Sequence, residues 1–367
     1  MTILDCIESI PSVLEGILDT YPENMAPLEK ALEGVPDRLD ELVLIGSGTS
    51  DTSARTSQSI TAFLSGLRTT VLWPAEMEKI LQTQKTRGAR ENNTNGLNPR
   101  ALYVFTSQTG TSRLTADMME KVQKAGALSV SITESPQTPL AQKSRIHLLM
   151  GCGREPFLMR TIGYVSSVLT HVLMGLRLGV LRGNISPQEE KSWLAMAREA
   201  CENRRIITEQ VKAYFPEIRG RLMESQEVIF TGQGAMYGIC LEGAVKFWEM
   251  PQKPCIGLEL EEGMHGPNYG YSHRQCVIYL CDGSETDPGK GVSLIRYMQE
   301  IHQNGLAVGA VSPELGLSLS LKGGLFSFIE MSAVPQVLAY LLTMAIGRDI
   351  SKPLSHADMD AFFKTHQ

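Results

Sequence analysis

The 367-residue sequence is without three features that would each indicate a particular class of protein. It has seven cysteines but no Cys-x-x-Cys pair, and this odd, irregular set favours reduced thiols over a zinc site or a disulfide framework. It has no surplus of basic residues, since the formal net charge is −6, which excludes a broad nucleic-acid-binding surface. Its longest apolar helical stretch, Val165–Leu181, contains His171 and Arg177, so we expect no membrane span.

The start of the chain also has no recognisable targeting segment. It reads MTILDCIESIP, with acidic residues where a secretory signal peptide requires basic ones. Together with the cysteine pattern, this predicts a cytoplasmic protein. The apolar fraction of 43% and the charged fraction of 20% are typical of a globular chain, and the length is sufficient for two domains.

Strand and helix patterns alternate along the first half of the sequence. Residues 1 to about 38 have a helical spacing of apolar residues, interrupted at Pro22 and Pro27. Strands separated by helical or loop segments are then predicted at Glu41–Ile45, Thr70–Trp73, Ala101–Phe105 and Leu128–Ile132. This alternation is typical of an α/β fold with a parallel sheet covered by helices on both faces.

The second half repeats the order of the first. Val228–Gly232 runs into a Gly-x-Gly turn and a helical pattern, as Leu42–Gly46 does, and Cys276–Leu280 corresponds to the Ala101 strand. We therefore predict two tandem α/β domains. The predicted ranges are an N-terminal helical segment over 1–38, a first domain over 39–185, a helical linker over 186–220, a second domain over 221–350 and a tail over 351–367.

Hydroxyl side chains are concentrated after two predicted strands, in Gly46-Ser-Gly-Thr-Ser50 and in Ser107-Gln-Thr-Gly-Thr-Ser112. Open α/β sheets bind ligands at the carboxyl ends of their strands, and helix N-termini there add N–H donors, which suits a phosphate monoester. The alternative interpretation is that these side chains only cap helices. The candidate binding residues are Gly48, Thr49, Ser50, Ser107, Gln108, Thr109 and Ser112.

The corresponding loops of the second half do not have this chemistry. Gly232–Met236 has no hydroxyl, and Cys281–Asp287 carries three acidic residues that would repel a phosphate. The first Gly-x-Gly turn has Asp51 where a dinucleotide fingerprint requires a third glycine, so NAD is disfavoured. We predict one phosphate site per chain, in the first domain, and no metal or cofactor.

A second constellation lies on the helix that opens the second domain. Glu242, Lys246 and Glu249 are spaced to share one helix face, among mainly apolar neighbours. The alternative interpretation is a solvated stripe of ion pairs. Further along, Gly266-Pro267 forms a tight turn beside His265. A carboxylate, a lysine, a histidine and a phosphate site suit proton transfer at a carbon beside a carbonyl or imine.

These motifs together resemble the sugar isomerase (SIS) domain proteins, over nearly the whole chain. The motifs are Gly46–Ser50, Ser107–Ser112, Leu241–Glu249 and His265–Pro267. The layout is similar to the isomerase half of glucosamine-6-phosphate synthase, which implies a homodimer whose histidine reaches the partner subunit. The resemblance also implies that Glu249 is the carbon acid/base and that His265 opens the sugar ring. The resemblance further implies that Glu242 and Lys246 lie around the sugar carbons. It implies that the sugar phosphate is bound by Ser50, Ser107, Gln108, Thr109 and Ser112.

The sequence departs from the synthase in two respects. It has no counterpart of the glutaminase domain, so we expect no use of glutamine as an ammonia donor by that route. The synthase's C-terminal lysine has no clear match in the tail, where Lys352 and His356 lie.

Within the family, the stretch from Phe247 to Pro267 looks most like the fructoselysine- and glucoselysine-6-phosphate deglycases. That resemblance implies hydrolysis of a phospho-Amadori product to a hexose 6-phosphate and an amino acid. Three acidic residues near the predicted site either contact a cationic group on the amino-acid part of the substrate or are solvated loop acids. They are Glu259, Glu261 and Glu262. Two alternative functions stay open: an amino-sugar-phosphate deaminase or aldose–ketose isomerase, and a non-catalytic sugar-phosphate sensor.

Overall fold

The computed structural model describes residues 1–34, 38–86, 97–285, 287–350 and 362. It contains two five-stranded sheets in which every neighbouring pair of strands is parallel. The first sheet consists of β1 (Glu41–Ile45), β2 (Arg68–Leu72), β3 (Ala101–Thr106), β4 (Leu128–Thr133) and β5 (Ile146–Leu149). The second consists of β6 (Glu227–Gly232), β7 (Cys255–Glu259), β8 (Gln275–Cys281), β9 (Gly305–Gly309) and β10 (Gly316–Ser318).

Helices alternate with these strands, which confirms the predicted α/β class. Those around the first sheet are α1 (Ile3–Asp19), α2 (Tyr21–Leu32), α3 (Thr49–Ser65), α4 (Pro74–Thr86), α5 (Arg113–Lys124), α6 (Pro139–Lys143) and α7 (Ile162–Leu181). The others are α8 (Pro187–Glu224), α9 (Ala235–Glu249), α10 (Leu260–Gly263), α11 (Pro288–Glu300), α12 (Ser327–Met331) and α13 (Ala333–Ala345).

The two sheets have the same strand order, as the sequence repeat predicts. The first runs β2-β1-β3-β4-β5, and the second, taken from its opposite edge, runs β7-β6-β8-β9-β10. In each sheet the strand order reverses between the first and third strands of the repeat. Ligands of open α/β sheets bind at this point, outside the carboxyl ends of the strands. Because β1 pairs directly with β3, the two hydroxyl-rich loops follow neighbouring strands.

The described chain divides into two compact units. The first-sheet unit contains Val13–Pro156 and Ser166–Ser192. The second-sheet unit contains Met1–Ser12, Phe157–Val165 and the described chain from Trp193 to Ile350. The predicted ranges treat residues 1–38 as one segment, whereas α1 contributes residues to both units.

Each sheet has its own core of apolar side chains. In the first-sheet unit, Tyr103 and Phe105 pack with Met118 and Val122 of α5. In the second-sheet unit, Val277 and Tyr279 pack with residues of α11 such as Ile295. In each unit, helices pack their apolar faces against the sheet and bury the strand side chains away from water. Burial of apolar surface is the dominant stabilising term in folding.

Two local predictions need correction. Pro27 does not interrupt the N-terminal helical region, because α2 continues through it while Met25 and Leu28 pack in the core. The apolar stretch beginning at Val165 belongs to a longer helix, α7, of 20 residues. By length and composition, α7 and the segment Gly324–Ala345 could each cross a membrane. In each, however, 83% of the most apolar 18-residue stretch is buried inside the protein.

Candidate phosphate loops and proton-transfer helix

The loop after β1 depends on two glycines. A Cβ on Gly46 would lie 2.7 Å from the Cβ of Ser50, so only glycine allows the chain to turn this tightly. Gly48 has a φ of 58° and precedes α3 without a side-chain cap. Thr49 and Ser50 are half-buried in the first turn of α3. Within the described part of the chain, the Ser50 hydroxyl has no hydrogen-bond partner.

The loop after β3 is built from paired hydroxyls. The Oγ atoms of Ser107 and Ser112 are 3.2 Å apart, and the Oγ1 atoms of Thr109 and Thr111 are 2.8 Å apart. Ser112 is the N-cap residue of α5, yet its side chain makes no capping hydrogen bond. The alternative interpretation as a helix cap therefore fails at Ser112. The hydroxyls of this loop are held near one another instead.

Gln108 gives an independent indication of a ligand at this loop. Its Nε2 is buried and has no hydrogen-bond acceptor among the described residues. Buried polar atoms are paired in most native structures, so this amide is available to donate to a bound acceptor, either an anion or a water. An anion placed here would receive hydroxyl and amide donors, as well as N–H groups at the N-terminus of α5.

The equivalent loop of the second-sheet unit is closed by its own acids. The carboxylate of Glu285 accepts hydrogen bonds from the backbone N–H groups of Asp282 and Gly283, at 3.2 and 3.0 Å. The Ser327 hydroxyl donates to Asp282 at 2.6 Å. These carboxylates occupy the backbone and hydroxyl donors that a phosphate would need at this loop.

The charged face of α9 is buried, contrary to its alternative interpretation as a solvated stripe. Lys246 is 0% and Glu242 1% exposed, while Glu249 is 33% exposed. The Lys246 ammonium lies 3.2 Å from Glu242 Oε1 and 2.5 Å from Glu249 Oε2. Burial works against the ammonium, but the two carboxylates outweigh it and raise the pKa of Lys246. Lys246 is therefore charged at neutral pH, and Glu249 is the member of the trio that solvent reaches.

The packing of α9 fixes where Glu249 lies. A Cβ on Gly257 of β7 would be 2.7 Å from the backbone of Cys240, so the helix and this strand pass very close. At the end of α9, the Arg348 guanidinium donates to the backbone carbonyls of Glu249, at 3.0 Å, and Met250. Cations favour helix C-termini, where carbonyls are unpaired and the dipole is negative. Arg348 was not predicted as a site residue, because local sequence patterns do not reveal a partner so distant in the chain.

The His265 turn is exposed, and the interactions described for its imidazole do not involve the charged face of α9. The Nδ1 of His265 donates to the carbonyl of Glu261 at 2.9 Å, which leaves Nε2 able to accept a proton. Its side chain is 67% exposed, and the hydrogen bonds and ion pairs described for it are all with Glu261. Gly266 has a φ of 115°, which permits the turn into the short 3-10 helix Pro267–Gly270.

The neighbouring acids have structural partners. Glu259 is the N-cap of α10 and accepts from the N–H groups of Glu261 and Glu262, at 2.7 and 3.0 Å. Glu261 forms an ion pair of 2.5 Å with Lys290, which lowers the pKa of Glu261. Thus Glu259 is a helix cap rather than a free loop acid.

The remaining groups considered in the sequence are possible metal ligands, the cysteines and the C-terminal tail. Among the described residues, no three or more His, Cys, Asp or Glu side chains are placed to hold a metal ion. All seven cysteines are buried free thiols. Lys352 and His356, with the predicted tail, lie outside the described residues.

A scan against protein-family models finds no match to the chain. Among curated proteins, the chain is similar to a glutamine–fructose-6-phosphate aminotransferase (isomerizing) of Tropheryma whipplei (strain Twist), with 26% identity over 364 residues. The match covers 94% of this chain and 56% of that protein, so the chain spans about half the length of this curated relative.

Solved structures of similar fold cover the chain more completely. A protein described as a phosphosugar isomerase of Clostridium difficile 630 has a TM-score of 0.84 at 21% identity, with 100% of both chains covered. A glucosamine-6-phosphate deaminase of Thermotoga maritima has a TM-score of 0.67 at 18% identity, with 94% of this chain and 97% of that chain covered. At these identities the likeness establishes the fold.

Proposed function

We propose that the chain is a phospho-Amadori deglycase. The premise is its similarity in fold to solved phosphosugar isomerases and in sequence to the isomerizing aminotransferases. It would cleave a 6-phosphorylated sugar–amino acid adduct, of the fructoselysine or glucoselysine type, to a hexose 6-phosphate and the free amino acid. The observation that carries the proposal is the buried ammonium of Lys246 between Glu242 and the half-open Glu249. The substrate is a small molecule, no cofactor takes part, and the enzyme acts in the cytoplasm.

Glu249 is the proposed catalytic acid/base. It would remove a proton from C1 of the open-chain ketosamine, giving an enaminol, and return a proton to C2. As C1 loses its proton, the carbonyl oxygen at C2 takes up a proton and becomes the O2 hydroxyl, which stays on the sugar. When C2 is protonated, the nitrogen lone pair forms the C1=N bond of an iminium. Water then adds at C1 and the C1–N bond breaks, which yields the aldose 6-phosphate and the amine. One water is consumed, and no oxidant or reductant is required.

Lys246 and Glu242 are the proposed positioning residues for Glu249. Both are fully buried, so neither can touch a sugar without rearrangement of the helix. Lys246 holds one Glu249 oxygen through a charge-assisted hydrogen bond, and Glu242 keeps this buried ammonium paired. Burial therefore favours a role for Lys246 in holding the Glu249 carboxylate over the direct contact with the sugar carbons that the resemblance implies.

The hydroxyl loops of the first-sheet unit are the proposed phosphate site. Ser50, Ser107, Thr109 and Ser112 would donate hydroxyl hydrogen bonds, and the unpaired Gln108 amide would add a donor. The flexible sugar–amine would thus be held by its phosphate while the carbons react, which reduces the entropic part of the barrier.

The test is a coupled assay for glucose 6-phosphate with three substrates offered separately. They are fructoselysine 6-phosphate, glucoselysine 6-phosphate and glucosamine 6-phosphate. Release of glucose 6-phosphate together with lysine from either adduct would support the deglycase and identify its sugar isomer.

Ammonia and fructose 6-phosphate from glucosamine 6-phosphate, with neither adduct cleaved, would instead identify a deaminase. This second candidate uses the same residues, and it is favoured by the fold shared with the Thermotoga deaminase. Tight binding of sugar phosphates without turnover of any of the three would contradict both and favour a sensor.

A further inference from the structure

A wholly buried histidine connects the two elements that lead to the hydroxyl loops. His171 lies on α7, and its Nε2 is 2.8 Å from Oγ1 of Thr106, the last residue of β3. Its Nδ1 is 3.1 Å from Oγ of Ser57 on α3. Thr106 directly precedes Ser107, and α3 begins within the Gly46–Ser50 loop. One imidazole therefore joins the strand that enters one loop to the helix that leaves the other.

The hydrogen-bond partners determine the protonation of this imidazole. The Ser57 hydroxyl is 3.0 Å from the carbonyl of Ala54, and a carbonyl can only accept, so the single Ser57 proton is used there. Nδ1 must then carry the proton that is shared with Ser57. Nε2 is left as an acceptor, and the Thr106 hydroxyl donates to it. Burial lowers the pKa of His171 to about 4, so the neutral form persists at physiological pH.

We propose that His171 is a positioning residue for the phosphate site, which sets the separation of the Gly46–Ser50 and Ser107–Ser112 loops through Ser57 and Thr106. This inference rests on the proposed function of those loops. A phosphate bound by both loops needs donors within a few tenths of an ångström of their places, because hydrogen bonds weaken steeply with distance and angle. A rigid ring bonded at both nitrogens fixes that separation, and a shorter or flexible side chain cannot bridge the same two hydroxyls.

Binding of hexose 6-phosphate, measured by calorimetry, tests the inference in the intact chain. Thr106→Val removes only the hydroxyl that Nε2 accepts from and keeps the side-chain shape, whereas Thr106→Ser keeps the hydroxyl. We expect Thr106→Val and His171→Gln each to weaken binding by about tenfold, as the loss of one to two buried hydrogen bonds implies, and Thr106→Ser to retain it. In turnover assays, both weakening variants should raise KM far more than they lower kcat.

His147 provides a matched control in the same sheet. Its Nδ1 is 3.2 Å from Oγ of Ser131 on β4, but neither residue precedes a hydroxyl loop. His147→Gln should therefore leave hexose 6-phosphate affinity within about twofold of wild type, even though it too alters a histidine hydrogen-bonded to a strand.

The possible failures can be told apart. If Ser107→Ala loses binding while Thr106→Val and His171→Gln bind as wild type does, the inference is wrong and the proposed phosphate site stands. If His147→Gln weakens binding as much as His171→Gln, the effect is a general one on the sheet, and the inference is again wrong. If the wild-type chain binds no hexose 6-phosphate, the proposed function fails as well.

Discussion

At the scale of the residue, burial separates the roles of three side chains that the sequence places together. Spacing alone puts Glu242, Lys246 and Glu249 on one helix face, but it assigns them equal access to a ligand. In the structure only Glu249 of the three is open to solvent, because Glu242 and Lys246 are fully buried. A buried ammonium between two carboxylates therefore positions the carboxylate that can reach a substrate and does not contact the substrate itself.

Glu249→Gln should abolish most turnover while leaving substrate binding intact. The amide has nearly the shape of the carboxylate but cannot accept the proton from carbon, and general-base catalysis contributes roughly 10²–10⁴ in rate. The measurement is kcat on the best substrate, with hexose 6-phosphate affinity measured in parallel. Glu300→Gln, which changes an exposed acid at the end of α11, is the matched control. Full turnover by Glu249→Gln would remove the catalytic assignment.

Lys246→Met should destabilise the fold as well as slow the reaction. Without the ammonium, the buried ion pair between Lys246 and Glu242 is broken, and breaking such a pair by removing one member costs about 3–5 kcal/mol of unfolding free energy. Adding Glu242→Gln should recover much of that stability without recovering kcat. Urea unfolding of the single and double variants measures this. A single variant as stable as wild type would contradict the pairing.

His171 gives a prediction for stability against pH. Its pKa is about 4 in the fold and near the ordinary 6.5 when unfolded, so below pH 6.5 the unfolded chain takes up a proton that the folded chain refuses. The contribution is complete above pH 6.5 and is lost as pH falls towards 4, by at most about 3 kcal/mol. Urea unfolding at pH 7.5 and 4.5 should show a smaller decline for His171→Gln than for wild type. Equal declines would mean that His171 is charged in the fold.

At the scale of the element, the C-terminal end of α9 is hydrogen-bonded by a residue about a hundred positions later in the chain. Arg348 donates to the carbonyls of Glu249 and Met250, so Arg348→Ala should free the last turn that carries the acid/base. We expect a loss of about 1–2 kcal/mol in unfolding free energy, and a fall in kcat larger than the change in KM. Arg296→Ala, at an exposed position of α11, is the control. Equal kinetic effects of the two variants would contradict the role of Arg348.

The elements that the sequence predicts well are those with a strong local pattern. β1 and β3 are continuous runs of buried residues, so their starts and ends are predicted within a residue. The edge strand β7 escapes prediction because only Cys255 is buried and Gly257 lies at its centre. The hydroxyl loops were found because composition marks them. The contacts of Arg348 and His171 were not, since each joins residues far apart in sequence.

At the scale of the whole molecule, the exposure of His265 raises the question of which chain it serves. The hydrogen bond and the ion pair described for its side chain are both with Glu261, and its imidazole is open to solvent although the resemblance gives it a role in ring opening. A histidine that completes the site of a second copy accounts for both facts. We therefore propose a homodimer in which each active site combines Glu249 of one copy with His265 of the other.

Mixing two inactive variants tests this arrangement. When Glu249→Gln and His265→Gln chains are dissociated and reassociated at equal amounts, about half of the dimers are mixed, and one of the two sites in each mixed dimer has both residues intact. Activity should then recover to about a quarter of the wild-type value, whereas each variant alone stays inactive. If each chain instead used its own His265, no mixture could contain an intact site, and the recovery would be zero. Light scattering that gives a single-chain mass would contradict the dimer directly.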